Sequence, residues 1–289
     1  MEKFIYFLGP KTSYTDFAKE QLIKQFKLED YVEKPMRTIT ALVSEINNWK
    51  NKNNLAVLPI ENSIEGIVKE TIDNLSKIKD ENIKIIGETV VSIEHCLITY
   101  SKDFSGIKTI KSHPQAISQC YNYIYTKFQD NINLESESST ANAVKKLSYQ
   151  DKSIAVIGNK FSAQYYNKPI LDTNINDENF NQTRFILIGL TEQKTITEND
   201  KTSITFSTAN KPGALCDILS ILKENNINMT YISSRPSRKS LGEYSFYIDF
   251  DGNIYDSKIS NAISKVLQNV KTFRHLGSYP KFDNKYSLK

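Results

Sequence analysis

Three polar side chains, Glu61, Asn62 and Ser63, follow directly on the short apolar run of residues 55–60. Such a run is typical of a parallel strand covered on both faces, and Pro59 cannot donate to a neighbouring strand, so we expect the strand to end there. Asn and Ser are preferred helix N-caps, and the apolar residues that follow continue at helical spacing. A strand end facing a helix start presents free backbone N–H groups, which favours binding of an anion. A capped helix without a ligand explains the same residues equally well.

Similar polar segments follow other predicted strands. They are residues 9–15, residues 112–115, which begin with Ser112, and residues 137–141, which include Ser139 and Thr140. Each segment alone is explained by a helix cap. Because the carboxyl ends of strands meet at one edge of a parallel sheet, hydroxyls and helix starts would converge there on one cleft. That combination predicts a site for carboxylates.

The segment Asn-Gln-Thr-Arg-Phe at residues 181–185 precedes another apolar strand. Arginine is scarce in this chain, which makes Arg184, between Thr183 and Phe185, a candidate for function. Its planar fork can hold a carboxylate through two hydrogen bonds, although a surface salt bridge is the alternative.

Composition excludes several classes of protein. The chain has 289 residues, 39% hydrophobic and 24% charged, as is ordinary for a soluble protein of one large or two modest domains. The net charge of +4 comes almost wholly from lysine, without a basic run of five, so we expect no nucleic-acid partner. A mild positive excess suits a small anionic substrate.

The cysteines, histidines and apolar runs of the sequence exclude further classes. Three widely spaced cysteines indicate neither a disulfide framework nor a zinc cluster, and a reducing cytoplasm is the simplest compartment. No signal peptide and no apolar run of membrane-spanning length is present, so we expect no membrane partner. The histidines lack metal-ligand spacing and no glycine-rich nucleotide motif occurs, so we expect no metal and no cofactor.

Two stretches alternate strand and helix. The first has strand 4–8, helix 14–27, strand 31–33, helix 41–49 and the strand that ends at Pro59; the second has strand 107–111, helix 114–128, strand 132–135, helix 139–147 and strand 154–157. Such alternation predicts two α/β lobes, each a mostly parallel sheet with helices on both faces.

Two further strands join these lobes. The β-branched stretch 83–100 predicts a strand that passes from one sheet to the other, and strand 185–190 returns to the first lobe. Two lobes joined in this way form a cleft lined by strand-end loops from both. In helix 114–128, Gln119 lies opposite the apolar stripe, so helix geometry alone predicts that it is exposed.

A different pattern begins at about residue 201. Residues 191–200 are polar and indicate a linker, after which the order of elements is strand, helix, strand, strand, helix, strand. This βαββαβ order is the ferredoxin-like plan, and it predicts a small separate domain.

These segments together resemble one family, the monofunctional prephenate dehydratases with a carboxy-terminal ACT regulatory domain. The resemblance covers almost the whole chain and rests on residues 9–10, 59–63, 112–120, 139–141, 183–185 and 242–244. It implies a two-lobed, periplasmic-binding-protein-like α/β catalytic domain at 1–190 and a ferredoxin-like ACT domain at 201–289. Lobe 1 would span about 1–80 and 165–190, and lobe 2 about 81–164. No chorismate mutase segment precedes Met1, so the fused bifunctional form is not expected.

The resemblance implies a reaction without a cofactor. Prephenate, a dianion, loses carbon dioxide and its 4-hydroxyl to give phenylpyruvate. Thr183 would donate a hydrogen bond or relay a proton to the departing hydroxyl, with Glu61 as a possible proton source. Phe185 would lie against the ring and exclude water. The substrate contacts implied are Asn62, Ser63, Ser112, Gln119, Ser139, Thr140, Arg184 and Phe185.

The resemblance also implies regulation by phenylalanine at an interface between ACT domains, with a homodimer through these domains or a tetramer. The residues implied are Gly213, Ala214, Leu215, Ser233, Ser234, Arg235 and Pro236. The chain departs from the family pattern at Ser233, where the family has glutamate, and at Thr12, where it has glycine. The rival interpretations are an arogenate dehydratase and a non-catalytic amino-acid or carboxylate sensor.

Overall fold

The structure is a computed structural model that describes residues 2–190, 196–236 and 244–283. The strands of the predicted catalytic region are β1 (Lys3–Leu8), β2 (Tyr31–Met36), β3 (Leu55–Asn62), β4 (Gly66–Ile67), β5 (Lys84–Ser92), β6 (Cys96–Thr99), β7 (Thr109–Ser112), β8 (Asn133–Ser136), β9 (Ile154–Gly158), β10 (Ile170–Asp172) and β11 (Gln182–Gly189). Its helices are α1 (Tyr14–Phe26), α2 (Ile39–Ile46), α3 (Lys69–Leu75), α4 (Pro114–Ser118), α5 (Tyr121–Phe128), α6 (Thr140–Lys146) and α7 (Lys160–Tyr165).

The first lobe is built on a sheet of order β2-β1-β3-β11-β5, with β4 paired to β3. β1 is parallel to both β2 and β3, whereas β11 is antiparallel to its neighbours β3 and β5. Side chains of α1 bury one face of this sheet, and those of α2 and α3 bury the other. The layers confirm the predicted α/β lobe, but its sheet has two parallel and three antiparallel strand pairs, so the prediction of a mostly parallel sheet is wrong here.

The second lobe has the order β10-β6-β9-β7-β8. Helices α4 and α5 cover one face, and α6 and α7 cover the other. The stretch 83–100 does divide between the sheets, as predicted, since β5 belongs to the first and β6 to the second. The chain therefore crosses to lobe 2 at residues 93–95 and returns at residues 173–181. Strand β5 lies in lobe 1 and β10 in lobe 2, whereas the expected boundaries placed β5 in lobe 2 and β10 in lobe 1.

The end of β3 differs from the prediction. The strand does not stop at Pro59 but continues to Asn62, because its pairing with β11 skips Ile60 and so accommodates the missing N–H of proline. The next helix, α3, begins only at Lys69, with Val68 as its N-cap. Asn62 and Ser63 therefore cap no helix.

The third sheet forms the predicted ACT region. Its elements are β12 (Asp200–Ser207), α8 (Ala214–Glu224), β13 (Met229–Pro236), β14 (Tyr244–Asp251), α9 (Ser257–Leu267) and β15 (Thr272–Pro280), and its antiparallel order is β13-β14-β12-β15. Both helices pack on one face. The predicted ferredoxin-like plan is confirmed. The predicted linker and residues 242–244 lie partly outside the described residues, which resume at 196 and at 244.

The other face of the ACT sheet packs on lobe 1. Tyr247 and Tyr279 are fully buried in the same apolar cluster as Ile186 and Ile188 of β11. At Gly277 the two regions approach so closely that a Cβ atom would collide with the backbone of Ile85. Catalytic and ACT regions thus share one continuous core. None of the helices in the described ranges has the length and apolar character of a membrane span.

Candidate active site

Thr183 and Asn62 face each other across neighbouring strands near the crossing segments. They are directly paired in the register of β11 and β3, which places both side chains on the same face of the sheet. The Asn62 Nδ2 atom lies 2.9 Å from Thr183 Oγ1, and both residues are buried. The sequence-predicted donor and its amide neighbour are therefore in direct contact.

The backbone fixes the orientation of the Asn62 amide. Its Oδ1 accepts hydrogen bonds from the backbone N–H groups of Ile64 and Glu65, at 3.0 and 2.9 Å. Nδ2 must consequently face the other way, where it donates to Thr183 Oγ1, to Asn181 Oδ1 at 2.8 Å and to the Gln182 carbonyl. Because an amide nitrogen cannot accept, the hydroxyl proton of Thr183 remains available for another partner.

The chain of amides continues into lobe 2. Asn181 Nδ2 donates to Gln119 Oε1 at 3.0 Å, and the same oxygen lies 3.1 Å from His95 Nε2. The prediction that Gln119 lies on the exposed face of one long helix is wrong. The helix is interrupted between α4 and α5, and Gln119 caps the end of α4. The interruption turns its side chain inward, towards the crossing segments.

Glu61 and Arg184 lie on the opposite face of the sheet from Thr183. The two are paired in register, and Glu61 Oε2 lies 3.1 Å from Arg184 Nε. Strand alternation therefore separates the Glu61 carboxylate from the Thr183 hydroxyl by the thickness of the sheet. The structure contradicts Glu61 as a proton source for Thr183.

The guanidinium of Arg184 is already occupied by carboxylates of the protein. It is 7% exposed and binds Glu88 at 3.2 Å and Asp249 of β14 at 2.5 Å, in addition to Glu61. Burial disfavours its charge, but the nearby Asp249 and Glu88 carboxylates hold the pKa of Arg184 well above its usual value. The expected clamp on a substrate carboxylate is thus contradicted, and Arg184 instead joins lobe 1 to the ACT region.

Comparisons with known proteins agree with this arrangement of domains. A sequence model of the prephenate dehydratase family matches residues 5–193, and a model of the ACT domain matches residues 202–268. The prephenate dehydratase of Methanocaldococcus jannaschii is 42% identical over 286 residues, covering 98% of this chain and 100% of the relative. The chain belongs to the prephenate dehydratase family.

Solved structures share the fold of this family member. A prephenate dehydratase from Arthrobacter aurescens, solved with L-Phe, superposes with a TM-score of 0.84 at 28% identity, covering 99% of this chain and 92% of that one. A quorum-quenching acylase superposes with a TM-score of 0.81 at 24% identity, over 96% of this chain and 98% of its own. The second likeness concerns the fold alone, since one fold can carry unrelated activities.

The remaining residues expected to contact prephenate have structural partners. Ser63 Oγ donates to the Phe180 carbonyl and accepts from the Gln182 N–H, which ties the turn after β3 to the start of β11. Ser112 is fully buried and donates to the Ile157 carbonyl at 2.7 Å. Phe185 lies in the apolar core beneath α1. Through these hydrogen bonds Ser63 and Ser112 bind backbone groups, and they do not join the chain of side-chain amides that leads to Thr183.

Ser139 and Thr140 lie at the start of α6. Ser139 is the N-cap, whose Oγ accepts from Asn142 N at 3.0 Å, and Thr140 is the first helical residue. Ser139 also lines a cavity of about 570 Å³, to which Lys11 and Arg37 of lobe 1 contribute. Of the strand-end loops predicted to meet in one cleft, those at residues 9–11 and 138–142 meet at this cavity, whereas Asn62 and Ser112 do not line it. Arg37 and Lys11, which also pairs with Glu33, supply positive charge there.

The ACT residues predicted to bind phenylalanine divide into two groups. Gly213, at φ +79°, is the N-cap of α8, and with Ala214 and Leu215 it lines a cavity of about 340 Å³. Only glycine takes this backbone conformation without strain. Ser233, Ser234, Arg235 and Pro236 form the end of β13, an edge strand.

Arg235 has a partner in the catalytic region. Its Nε lies 2.9 Å from Asp73 Oδ1 of α3, and the pair holds the pKa of Arg235 above its usual value through the side-chain hydrogen bond. In this structure Arg235 therefore contacts the catalytic region and not the cavity at Gly213.

One acidic cluster among the described residues has the geometry for a cation. The carboxylates of Asp16, Glu20 and Glu33 lie within 4.8 Å of one another. The ammonium group of Lys19 lies 2.8 to 2.9 Å from all three, so it already provides the positive charge. This cluster does not need a metal.

Two polar residues of the site escaped the sequence reasoning. Asn181 was included in the segment before β11 but received no role, and His95 was considered only as a metal ligand. The available signal was burial, because a histidine inside the apolar crossing stretch of residues 83–100 must find a hydrogen-bond partner. That partner is Gln119, whose oxygen also accepts from Asn181 of the return crossing, 62 residues later in the sequence.

Proposed function

We propose that this chain is a carbon–oxygen lyase that converts prephenate to phenylpyruvate. The observation that carries the proposal is the Thr183 hydroxyl, which accepts from Asn62 and so keeps its own proton for a substrate oxygen. The 42% identity to a prephenate dehydratase over nearly the whole chain supports the same reaction. The amide-rich site is suited to it, because the electron pair of the broken bond to the carboxylate drives the departure of the hydroxyl.

The reaction consumes one proton. The bond between the ring and the carboxylate carbon breaks and releases carbon dioxide. The electron pair of that bond moves through the ring, and the 4-hydroxyl departs and is protonated to water. In our proposal the Thr183 O–H donates to that leaving oxygen, while the N–H of Asn62 stabilises negative charge developing on Thr183 Oγ1. Because the Glu61 carboxylate lies on the other face of the sheet, we infer that solvent is the ultimate source of the proton.

Neutral donors would bind the dianionic substrate. Asn62 offers an amide beside Thr183, and Gln119 offers a second one that is linked to Asn62 through Asn181. Ser139 and Thr140 lie at the start of α6, near the cavity lined by Lys11 and Arg37. Ser63, Ser112 and Phe185 remain proposed contacts on the strength of the family resemblance. Phe185 would act through the apolar packing that excludes water from the departing carboxylate.

The test is turnover of prephenate by the purified chain, followed through the absorbance of phenylpyruvate in alkali. We expect turnover in the unchanged protein and a loss of about 10²- to 10³-fold in kcat for Thr183→Val, which removes one preorganised donor. Near-normal turnover by Thr183→Val would exclude Thr183 as the donor, and no turnover by the unchanged protein would exclude the reaction. Comparison of kcat/KM for prephenate and arogenate tests the substrate preference, which we propose to favour prephenate.

We further propose that phenylalanine binds the ACT region and inhibits the reaction. The cavity at Gly213 supports this, as does the L-Phe complex of the Arthrobacter aurescens relative. Edge strand β13, which carries Ser233 to Pro236, would supply the dimer contact. Phenylalanine titration of the prephenate assay tests the inhibition, and analytical ultracentrifugation of the protein with and without phenylalanine tests the dimer.

A further inference from the structure

His95 is a buried histidine at the point where the chain crosses between lobes. It is 2% exposed, and its backbone is held by the return crossing, with its N–H donating to Asn176 Oδ1 and its carbonyl accepting from Ile175. Its Nε2 lies 3.1 Å from Gln119 Oε1. No described residue provides a hydrogen-bond partner for its Nδ1. The side chain therefore makes a single directed contact, and that contact is with the candidate active site.

The direction of that contact follows from the backbone around Asn62. The N–H groups of Ile64 and Glu65 orient the amide of Asn62. Asn62 Nδ2 donates to Asn181 Oδ1, which orients the amide of Asn181. Asn181 Nδ2 then donates to Gln119 Oε1. The atom of Gln119 that faces His95 is thus an oxygen, which can only accept. It follows that His95 carries its proton on Nε2.

We propose that His95, as the neutral Nε2–H tautomer, is a positioning residue that holds the Gln119 carboxamide with its NH₂ group towards the substrate. This inference rests on the proposed function. Asn181 and His95 both donate to Gln119 Oε1, so a rotation of the amide by 180° would leave two donors facing an NH₂ group. It would also present an oxygen to an anionic substrate. With both donors in place, Gln119 offers N–H groups to a carboxylate.

The surroundings of His95 keep the imidazole neutral. Burial lowers the pKa of His95, although the hydrogen bond to Gln119 opposes that effect. The ring of Tyr14 meets the imidazole edge-on with 6.1 Å between centroids, and burial raises the pKa of Tyr14 well above its usual value, so no phenolate faces it. A neutral imidazole with one N–H has the directionality that the proposal requires.

The first test compares two substitutions that differ in the donor. His95→Leu removes it, whereas His95→Gln keeps an N–H group at about the position of imidazole Nε2. The pyruvyl carboxylate of prephenate stays charged throughout, so we expect His95→Leu to raise KM by about tenfold to a hundredfold with kcat within about twofold. We expect His95→Gln to recover most of the wild-type KM. His275→Leu, which alters a histidine of β15 bound to Ser278, is the matched control and should leave both constants unchanged.

A second test asks whether His95 acts through Gln119. In a Gln119→Ala background, we expect His95→Leu to have no further effect on KM, because the group that it positions is gone. Additive effects of the two substitutions would overturn the proposal, as would equal KM values for His95→Leu and His95→Gln.

A third test measures the tautomer of His95 directly in the wild-type protein. The chain has three histidines, so ¹⁵N-histidine labelling of the wild-type protein gives a spectrum in which His95 is assigned as the set of signals lost in His95→Gln. We expect the Nε2–H tautomer, and the Nδ1–H tautomer would overturn the proposal. If the wild-type protein does not turn over prephenate, the proposed function fails, while the tautomer still decides how the Gln119 amide is oriented.

Discussion

At the scale of single residues, the polarity of the Asn62 amide determines what Thr183 can do. The substitution Asn62→Asp replaces the donor with a carboxylate oxygen of the same shape, and the backbone N–H groups of Ile64 and Glu65 still find an acceptor. The Thr183 hydroxyl would then donate to that carboxylate and lose its free proton. We expect kcat to fall by about 10²- to 10³-fold, measured in the prephenate assay, with an unchanged circular dichroism spectrum. Wild-type kcat in this variant would contradict the assigned direction.

His95 also predicts a pH dependence of stability. An unfolded histidine titrates near pH 6.5, whereas burial lowers the pKa of His95 in the folded protein. Below about pH 6.5 the unfolded chain therefore binds a proton that the folded chain does not, and stability falls as pH decreases, by up to about 1.4 kcal/mol per pH unit. We expect the free energy of unfolding, measured in urea between pH 7 and 5.5, to fall less steeply in His95→Gln. Identical slopes would show that His95 is charged in the folded state.

The sequence identifies Thr183, Asn62 and Gln119 as candidates, but it does not identify what surrounds them. Strand alternation alone already separates Thr183 from Arg184, since adjacent residues point to opposite faces. That Arg184 meets Glu88 and Asp249 depends on the packing of β14 against lobe 1, which no local pattern contains. The sequence therefore predicts a substrate contact for Arg184, whereas its partners in the structure are carboxylates of the protein.

At the scale of elements, the alternation of strands and helices predicts both lobes and the ACT plan, but not the interruption between α4 and α5. The apolar spacing of residues 117–128 continues through it without a break. The cause is distant in the sequence, because Asp177 of the return crossing accepts from the N–H groups of Asn122 and Tyr123 and donates its own N–H to the Gln119 carbonyl. A carboxylate from another segment thus starts α5.

This cap gives a prediction for the crossing segment. Asp177→Ala removes the acceptor at the start of α5, which should lower the free energy of unfolding by about 0.5–2 kcal/mol in urea titrations. Because the same segment holds the turn at Gln119, we also expect KM for prephenate to rise. Asp177→Asn retains one side-chain oxygen and serves as the control, with smaller changes in both quantities. If Asp177→Ala destabilises the protein but leaves KM unchanged, the cap at α5 does not position Gln119.

At the scale of the whole molecule, strand β11 belongs to two sites at once. Thr183 faces the crossing segments, and its neighbour Arg184 reaches Asp249 in the ACT sheet. Lys201 of β12 completes the cluster with both of its contacts to Glu88, at 2.9 Å. Any displacement of β12 and β14 must therefore act on the carboxylates that hold β11. Strand β14 thus contributes Phe246 to the cavity at Gly213 and Asp249 to the cluster that contacts β11.

The connection predicts the behaviour of Asp249→Asn, which keeps the shape of the side chain but removes its charge. Breaking a buried pair of this kind typically costs about 3–5 kcal/mol when a charge is left unpaired, and Glu61 and Glu88 remain near Arg184 to reduce that cost. We expect weaker inhibition of prephenate turnover by phenylalanine, with phenylalanine still bound in calorimetry, because the ligand cavity at Gly213 is untouched. Asp73→Asn, which breaks the more exposed Arg235 pair, is the matched control for loss of an interdomain ion pair. If Asp249→Asn and Asp73→Asn weaken inhibition equally, the effect belongs to domain contact in general and not to the Arg184 cluster.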